Sequence, residues 1–291
     1  MTNDQEKRPL RVIRTAAELR AATQARREPG KLIGLVPTMG ALHGGHLALI
    51  DHARRNCGLL IASLFVNPTQ FGEDEDFHAY PRTEAEDIAM FAAHGVDFVY
   101  APESAEMYPD GLSITVTVSG ITEGLCGALR PGHFDGVTTV VSRLFDHCVP
   151  DVAYFGEKDY QQSKVIERMV EELMLDIRVV RIPTVREPDG LALSSRNAYL
   201  NPCQRRSAPA LYGTMVALAA RLRKGNDIGA QCEWGCQALL DAGFDSVDYF
   251  EIRDAETLYP ATSNAPNLRI FAAARLGDTR LIDNIPVDPP E

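Results

Sequence analysis

The chain of 291 residues has few of the features that mark secreted or membrane-spanning proteins. No apolar run approaches the roughly 18 to 20 residues that a membrane-spanning helix needs. The polar start, residues 1–8, differs from a signal peptide. Six scattered cysteines lack the Cys-x-x-Cys spacing of a zinc site and the pattern of a disulfide framework, so we expect reduced thiols. These absences predict a cytoplasmic protein.

Positive charge is also scarce. The formal net charge is −11, and only five residues are lysine. Sequence-independent binding of nucleic acid needs clustered lysine and arginine to displace counterions, so the composition argues against that class of function. A local basic site could still bind a small anion. Lys158 stands in a glycine-flanked acidic segment and is therefore the lysine to consider first.

Neither a Walker A motif nor a complete Gly-x-Gly-x-x-Gly fingerprint occurs in the chain. A different glycine-rich segment, 37–46, follows an apolar run and precedes another, which predicts strand, turn and helix. A helix beginning near Gly45 would present backbone N–H groups to an anion, with His43 and His46 as further donors. This arrangement suits a nucleotide phosphate and nucleotidyl transfer. The alternative is that both histidines are ordinary turn residues.

Apolar runs alternate with amphipathic stretches through the first part of the chain. Strands are predicted near 31–36, 59–66, 96–100, 151–155 and 177–182, and helices at 45–56, 84–94, 135–148 and 159–173. This alternation is typical of α/β proteins with a doubly wound parallel sheet. The run 59–66 is continuously apolar, as in a strand covered on both faces, and should lie centrally.

The pattern changes after residue 184. A hairpin-like stretch, 185–193, contains a Pro-Asp-Gly turn signal. Helices are predicted at 203–224 and 227–242, and strands at 246–252, 268–274 and 279–283. Helices grouped with an antiparallel sheet indicate a smaller α+β domain. We therefore expect a first domain over 1–184 and a second over 185–291.

Four further polar segments are predicted at the carboxyl ends of strands or in loops that could fold over them, which is the ligand-binding edge of an open α/β sheet. In the first, Asn67 and Gln70 could bind hydroxyl and carboxylate groups of a small substrate, although an Asn-Pro turn explains the same letters. In the second, Arg130 and His133 supply cationic or donor groups in a loop that enters the helix predicted from residue 135.

The third segment follows the strand 151–155. Gly156 ends that strand, and Lys158 then stands at a helix start, where phosphate oxygens would lie. Gln162 is one turn further along and could face the same cleft. In the fourth segment, Ser194–Arg196, two hydroxyls and a guanidinium could clamp a phosphate. The alternative is that Ser194–Arg196 is an ordinary surface loop that binds no phosphate.

Together, these residues resemble the pantoate–β-alanine ligase (pantothenate synthetase) family over nearly the whole chain. The segments that carry the resemblance, in the family's order, are 37–43, 65–72, 80–83, 130–136, 155–162 and 194–197. The resemblance implies a HUP-type nucleotidyltransferase fold, in which a Rossmann-like sheet is followed by a smaller C-terminal domain that acts as a lid. It also implies a homodimer.

The resemblance further implies a two-step reaction. ATP adenylates the carboxylate of (R)-pantoate with release of pyrophosphate, and the amine of β-alanine then attacks the pantoyl adenylate. Pantothenate and AMP are the products. ATP is a substrate here, and Mg²⁺ is expected with it.

Site residues follow from the resemblance position by position. ATP would contact Met39, Gly40, Ala41, Leu42, His43, Gly44, Gly45, His46, Gly156, Glu157, Lys158, Asp159, Val185, Leu193, Ser194, Ser195 and Arg196. His46 would be the proton donor, and His43, Lys158, Ser194, Ser195 and Arg196 would supply donors and charge. Pantoate and β-alanine would contact Gln70, Gln162, Asn67, Arg130 and His133. A metal-linked position maps near Glu86 and Asp87, where an ordinary helical role is the alternative.

Three positions depart from the family pattern. Gly44 stands where many relatives carry an acidic residue, and Thr69 and Leu193 stand where methionine is usual. We predict that Thr69 weakens pantoate binding relative to methionine, because a β-branched hydroxyl replaces a flexible apolar side chain.

The rival interpretations are another nucleotidyltransferase with the same His-x-Gly-His loop and a non-catalytic nucleotide-binding regulator. An aminoacyl-tRNA synthetase shares the loop, but the acidic chain shows no evident tRNA-binding extension.

Overall fold

The computed structural model describes residues 9–73, 75–224, 227–261 and 267–287. The polar start at 1–8 lies outside them. Within these ranges the chain packs as two compact units, which are described separately. The first unit is Met1–Val118, Arg130–Glu157 and Val165–Ile182, and the second is Ser119–Leu129, Lys158–Lys164 and Pro183–Glu291. Two short segments that precede residue 184 therefore pack with the second unit.

The elements are numbered along the chain. The strands are β1 (Arg11–Ile13), β2 (Ile33–Val36), β3 (Leu59–Ser63), β4 (Phe98–Tyr100), β5 (Val152–Gly156), β6 (Arg178–Ile182), β7 (Ser246–Asp254), β8 (Leu268–Leu276) and β9 (Thr279–Pro286). The helices are α1 (Ala16–Arg26), α2 (Gly44–Asn56), α3 (Glu84–Ala93), α4 (Ser104–Met107), α5 (Cys126–Leu129), α6 (His133–Cys148), α7 (Tyr160–Glu172), α8 (Pro202–Ser207), α9 (Ala210–Leu222) and α10 (Ile228–Asp241).

The first unit contains a six-stranded sheet in the order β1-β4-β3-β2-β5-β6, with every pair parallel. Each residue of β3 is buried, as its continuous apolar sequence predicts, and this strand lies in the interior of the sheet. The chain leaves β2 toward β3 on one side, and β5 lies on the other. The carboxyl ends of β2 and β5 therefore form the switch point at which open α/β sheets bind ligands.

The doubly wound α/β prediction is confirmed. Helix α2 buries Leu49, Ile50 and Ala53 against the sheet, in a cluster that includes Val36 of β2 and Leu60 of β3. The sequence did not reveal β1 or α1. A three-residue strand such as β1 is too short to show a periodic pattern, and only its pairing with β4 defines it.

The second unit contains the three-stranded antiparallel sheet β7-β8-β9. Its core is formed by this sheet together with α9 and α10, through residues such as Leu211, Met215, Leu239 and Ile270. The single helix predicted over 203–224 is wrong, because the structure has α8 and α9 there with Pro209 between them. Proline lacks the N–H that a continuous helix needs. Among the described residues, every helix is too short or too polar to cross a bilayer.

Candidate active site

The loop after β2 has an unusual backbone. Gly40 has a φ of 85° and Ala41 a φ of 50°, and the second value is costly for a residue with a Cβ. The carboxylate of Asp87, a fully buried residue of α3, accepts hydrogen bonds from the backbone N–H groups of Ala41 at 3.0 Å and Leu42 at 2.8 Å. Thr83 donates its hydroxyl to the same carboxylate at 3.1 Å. Asp87 therefore holds the strained loop in place.

This geometry bears on the predicted metal position. Both oxygens of Asp87 accept from N–H or O–H donors, so three of the roughly four acceptor positions of this carboxylate are already used within the protein. The neighbouring Glu86 is exposed. Nowhere in the described part of the chain do three or more His, Cys, Asp or Glu side chains form a group that could hold a metal ion. The described residues thus give Asp87 a structural role in the loop, and the metal-linked position near Glu86 and Asp87 stays a prediction.

Two histidines begin α2 together. The Nδ1 atom of His43 accepts from the N–H of Gly45 at 3.1 Å, and the Nδ1 atom of His46 accepts from the N–H of His43 at 3.3 Å. The ring centroids are 4.1 Å apart. Since each Nδ1 is an acceptor, each neutral ring carries its hydrogen on Nε2. The two histidines are thus turn residues that cap the helix and also N–H donors at its positive end.

A short 3-10 turn, Pro68–Gln70, follows β3 and carries the predicted substrate amides. Asn67 is buried, and its amide nitrogen donates to the carbonyl of Gly136 and to the side-chain oxygen of Gln70, both at 3.1 Å. Its amide oxygen accepts from Tyr108 at 2.8 Å and Thr69 at 3.0 Å. Asn67 is consequently the scaffold of the turn, and Tyr108 is a partner that the sequence did not reveal.

Gln70 connects this turn to the loop after β2. The residue is half-buried, and its amide nitrogen lies 3.2 Å from the sulfur of Met39. The structure therefore places a predicted pantoate ligand beside a predicted ATP-contacting residue within the first unit. Both side chains lie at the carboxyl edge of the sheet.

Thr69→Met should strengthen pantoate binding. Tyr108 still donates to Asn67 when the Thr69 hydroxyl is lost, so the turn keeps its main contact. The gain should stay within about tenfold, since modest packing changes are worth less than about 1.5 kcal/mol. Calorimetric titration with pantoate measures it, and equal or weaker affinity of the variant would contradict the prediction.

Arg130 and His133 contact the backbone of the turn that contains Gln70. Arg130 donates to both oxygens of Glu75 at 2.5 Å and lies 2.9 Å from Nε2 of His133. The Nδ1 atom of His133 is 2.8 Å from the carbonyl oxygen of Gln70. Because arginine can only donate, Nε2 accepts and Nδ1–H donates. These residues fix the backbone of Gln70, and their predicted contact with substrate stays a prediction.

Glu75 should make stability depend on pH. Burial opposes its ionisation, but the hydrogen bonds and charge of Arg130 outweigh burial and lower the pKa of the Glu75 carboxyl. Its contribution is therefore full above the ordinary value of 4.5 and is lost as the pH falls through the lower, folded value. We expect Glu75→Gln to cost roughly 1–2 kcal/mol at pH 7.

Denaturant unfolding of wild type and Glu75→Gln across pH 3–7 measures this effect. The gap in free energy of unfolding should shrink as the pH falls below about 4.5. Glu18→Gln is a control, since that glutamate forms an exposed pair with Arg11. A gap that does not change with pH would show that the Glu75 charge is not what stabilises the turn.

The second unit carries Lys158. It lies in the 3-10 turn Glu157–Asp159 that leads from β5 into α7, and its ammonium group is 3.8 Å from Asp159. On α7, Gln162 is half-buried, whereas the neighbouring Gln161 is buried and donates to the carbonyl of Gly124 at 2.8 Å. The two glutamines therefore differ. Gln161 binds the segment around Gly124, and the predicted ligand contact of Gln162 stays a prediction.

The predicted hairpin at 185–193 is confirmed. Arg186 and Ala192 form an antiparallel bridge, and the N–H of Leu193 donates to the carbonyl of Val185 at 3.0 Å. The hairpin leads into the 3-10 turn Ser195–Tyr199, which Ser194 caps by accepting from the N–H of Arg196 at 3.3 Å. Val185, Leu193 and Ser194–Arg196 are therefore brought together.

The fold and this geometry define a class of protein. It is a Rossmann-like α/β protein with a His-x-Gly-His loop, at the switch point of a parallel sheet, that starts a helix. A sequence model of the pantoate-beta-alanine ligase family matches residues 11–286. The chain belongs to the pantoate-beta-alanine ligase family.

Individual relatives agree with this assignment. The chain is 53% identical over 280 residues to the pantothenate synthetase of Paramagnetospirillum magneticum, covering 96% of this chain and 99% of that protein. The structure of pantothenate synthetase from Thermus thermophilus is similar, with a TM-score of 0.90, 48% identity, and coverage of 96% of this chain and all of that one. Pantoate-beta-alanine ligase from Francisella tularensis, crystallised with beta-gamma ATP and beta-alanine, has a TM-score of 0.81 and 33% identity, with coverage of 96% and 98%.

Proposed function

We propose that the protein joins (R)-pantoate to β-alanine in an ATP-dependent reaction that forms AMP. The match to the ligase family over residues 11–286 carries this proposal. The Francisella tularensis relative supports it further, because that protein was crystallised with beta-gamma ATP and beta-alanine. The reaction has two steps. A carboxylate oxygen of pantoate attacks the α-phosphorus of ATP and pyrophosphate leaves; the amine of β-alanine then attacks the acyl carbon, AMP leaves, and the nitrogen loses a proton.

Adenylation needs positioning and neutralisation of negative charge more than covalent help from the protein. Helix α2 begins after the carboxyl end of β2, and His43 and His46 carry Nε2–H groups at its positive end. We assign these groups to the phosphates of ATP, and His46, the proton donor that the family resemblance implies, donates the hydrogen bond of its Nε2–H to the leaving group. The loop Met39–Leu42, held by Asp87, forms the adjacent wall.

Lys158 and the segment Ser194–Arg196 act on the same phosphates in this proposal. An ammonium group, a guanidinium and two hydroxyls provide the charge and donors that a departing pyrophosphate needs. Gly156–Asp159, Val185 and Leu193 complete the ATP contacts. Removing Ser194–Arg196 should depress adenylation, because the developing charge would lose its donors.

Gln70 and Gln162 bind pantoate in the proposal, with Gln70 also near β-alanine. The direct support for Gln70 is its contact with Met39, which puts an amide beside the ATP wall. Asn67, Arg130 and His133 support the turn that carries Gln70.

Mg²⁺ enters this proposal as part of the substrate. Bound to the phosphates of ATP, it supplies charge neutralisation of the leaving pyrophosphate. Asp87 is assigned to the loop after β2, because its oxygens are already occupied.

We further propose a cytoplasmic homodimer with domains 1–184 and 185–291, the second acting as a lid. Family resemblance supports these assignments. A lid excludes water from the acyl adenylate, which otherwise hydrolyses.

Pantoate-dependent exchange of pyrophosphate into ATP, and release of AMP with and without β-alanine, test the proposal. We expect exchange with pantoate alone and rapid AMP release when β-alanine is added. Both should fall in His46→Ala and persist in His94→Ala, a histidine paired with Asp51 away from the loop. Pyrophosphate exchange that is the same with and without pantoate would indicate another nucleotidyltransferase. ATP binding without exchange would indicate a regulator.

A further inference from the structure

Two adjacent residues of β9, Asp283 and Asn284, are polar, only 4% exposed and absent from the reaction as proposed. Successive residues of a strand face opposite sides of a sheet. Asp283 pairs with Ala272, which belongs to the main core of the second unit, and Asn284 pairs with Phe271, which packs with Tyr160 in a separate cluster. The two side chains therefore project from the two faces of one strand.

On the first face, Asp283 binds the hairpin that leads to Ser194. Its two oxygens accept from the guanidinium of Arg186 at 2.5 and 2.9 Å. That guanidinium also donates to the carbonyl of Gly190 at 3.2 Å and lies 3.9 Å from the ring centre of Tyr212. A bidentate pair with a stacked guanidinium fixes the orientation of the hairpin, not just its distance from β9.

On the other face, Asn284 binds the turn that carries Lys158. Its amide nitrogen donates to the carbonyl oxygen of Lys158 at 2.8 Å. Its amide oxygen accepts from the guanidinium of Arg269, which lies 3.9 Å from the ring centre of Tyr160, the first residue of α7. The backbone of Lys158 is thus tied to the sheet beside the point where α7 begins.

We propose that Asp283 and Asn284 are positioning residues that align the two phosphate-binding segments of the second unit, Lys158 through Asn284 and Ser194–Arg196 through Asp283. Neither residue touches a reacting atom. They act through the backbone of Lys158 and the side chain of Arg186. The inference rests on the proposed function, since it concerns the groups assigned there to the phosphates of ATP.

The geometry explains why a strand near the end of the chain carries a polar pair in its interior. A buried carboxylate and a buried amide cost free energy unless every hydrogen-bonding atom is paired. Here each pairs with an arginine, and each arginine is stacked on a tyrosine. Apolar residues would pack equally well at these two positions of β9. They would form no hydrogen bond with Arg186 or with the Lys158 backbone, so both loops would lose a fixed position.

Asn284→Asp isolates the contact with Lys158. The carboxylate keeps an acceptor for Arg269, but it replaces the N–H donor with an oxygen that repels the Lys158 carbonyl. We expect kcat for pantoate-dependent pyrophosphate exchange to fall about 10- to 100-fold, as for a misplacement near 1 Å. The melting temperature should fall as well, because a buried donor is lost, and the double-mutant cycle then separates the two effects.

A double-mutant cycle separates positioning from general destabilisation. If Asn284 acts through Lys158, Asn284→Asp should have little further effect on kcat in the Lys158→Ala background. Asp283→Asn should likewise lower kcat in the wild type and have little further effect on kcat when Arg196 is alanine. Asp248→Asn is the matched control, because it removes a carboxylate partner of Arg280 in the same sheet. It should lower stability and leave kcat unchanged.

Several outcomes would overturn the inference. These are a normal kcat in Asn284→Asp, full additivity with Lys158→Ala, or an equal loss of kcat in Asp248→Asn. If Asn284→Asp does not fold, Asn284→Ser serves in the same cycle. Absence of pantoate-dependent exchange in the wild type would instead contradict the proposed function.

Discussion

Replacing Lys158 with alanine should lower kcat for pantoate-dependent pyrophosphate release by about 10²- to 10³-fold, the range for removing one preorganised donor from a developing negative charge. The Lys158 ammonium group forms a long ion pair, 3.8 Å, with the carboxylate of Asp159, whose side chain is half-exposed. A pair of that kind contributes little to stability. The loss should therefore appear in kcat, while the free energy of unfolding stays close to the wild-type value.

Two further lysine variants sharpen this test. Lys164→Ala removes a lysine of α7 that pairs with Glu256, and it should leave kcat unchanged. Lys158→Arg keeps the charge on a bulkier, planar group and should recover only part of the activity. Steady-state release of pyrophosphate measures all three. If Lys158→Ala keeps more than a tenth of wild-type kcat, the assigned role is wrong.

Adding a single methyl group at Gly136, as in Gly136→Ala, should strongly reduce both the stability and the activity of the protein. A Cβ at this position would lie 2.3 Å from the carbonyl oxygen of Thr69 and 2.7 Å from the backbone nitrogen of Gln70. Backbone atoms cannot rotate away as a side chain can, so α6 and the turn Pro68–Gln70 must separate. The contact between Asn67 and the Gly136 carbonyl would be lost as well.

The expected result is a fall of about 100-fold in kcat/KM for pantoate and a loss of roughly 1–3 kcal/mol in the free energy of unfolding. Gly213→Ala is the matched control. It lies in α9, and a Cβ there would meet no atom within 4 Å. That variant should gain roughly 0.5–1 kcal/mol, the usual helix preference for alanine, with unchanged kinetics. Equal pantoate kinetics in Gly136→Ala and wild type would show that the turn does not position Gln70.

The positions of the segments proposed to bind phosphate were accessible from the sequence because each is a local pattern. A glycine-rich turn between an apolar strand and an amphipathic helix occurs where expected, with α2 beginning at Gly44. The hairpin before Ser194 is also as predicted. The start of α6 is less well predicted, since it begins at His133 and not near 135.

The partners of individual side chains were not accessible in this way. Arg130 and His133 carry the charges of ligand-binding residues, but they bind Glu75 and the backbone of Gln70, more than fifty residues away. Asp87 is an unremarkable acidic residue in the first turns of a helix until α3 packs beneath the loop after β2. The neighbouring residues in the sequence do not indicate whether these side chains make such contacts or face solvent.

For this protein, the sequence alone determined the alternation of strands and main helices from β2 to β6, the class of the main sheet and the segments proposed to carry the chemistry. These depend on periodicity and on glycine and proline chemistry within a few residues. Only the tertiary structure decided which polar groups bind one another across the fold. The hydrogen bonds that join Asp87 to the loop after β2, Asp283 to Arg186 and Asn284 to Lys158 connect residues that are distant in sequence, and burial makes that pairing obligatory.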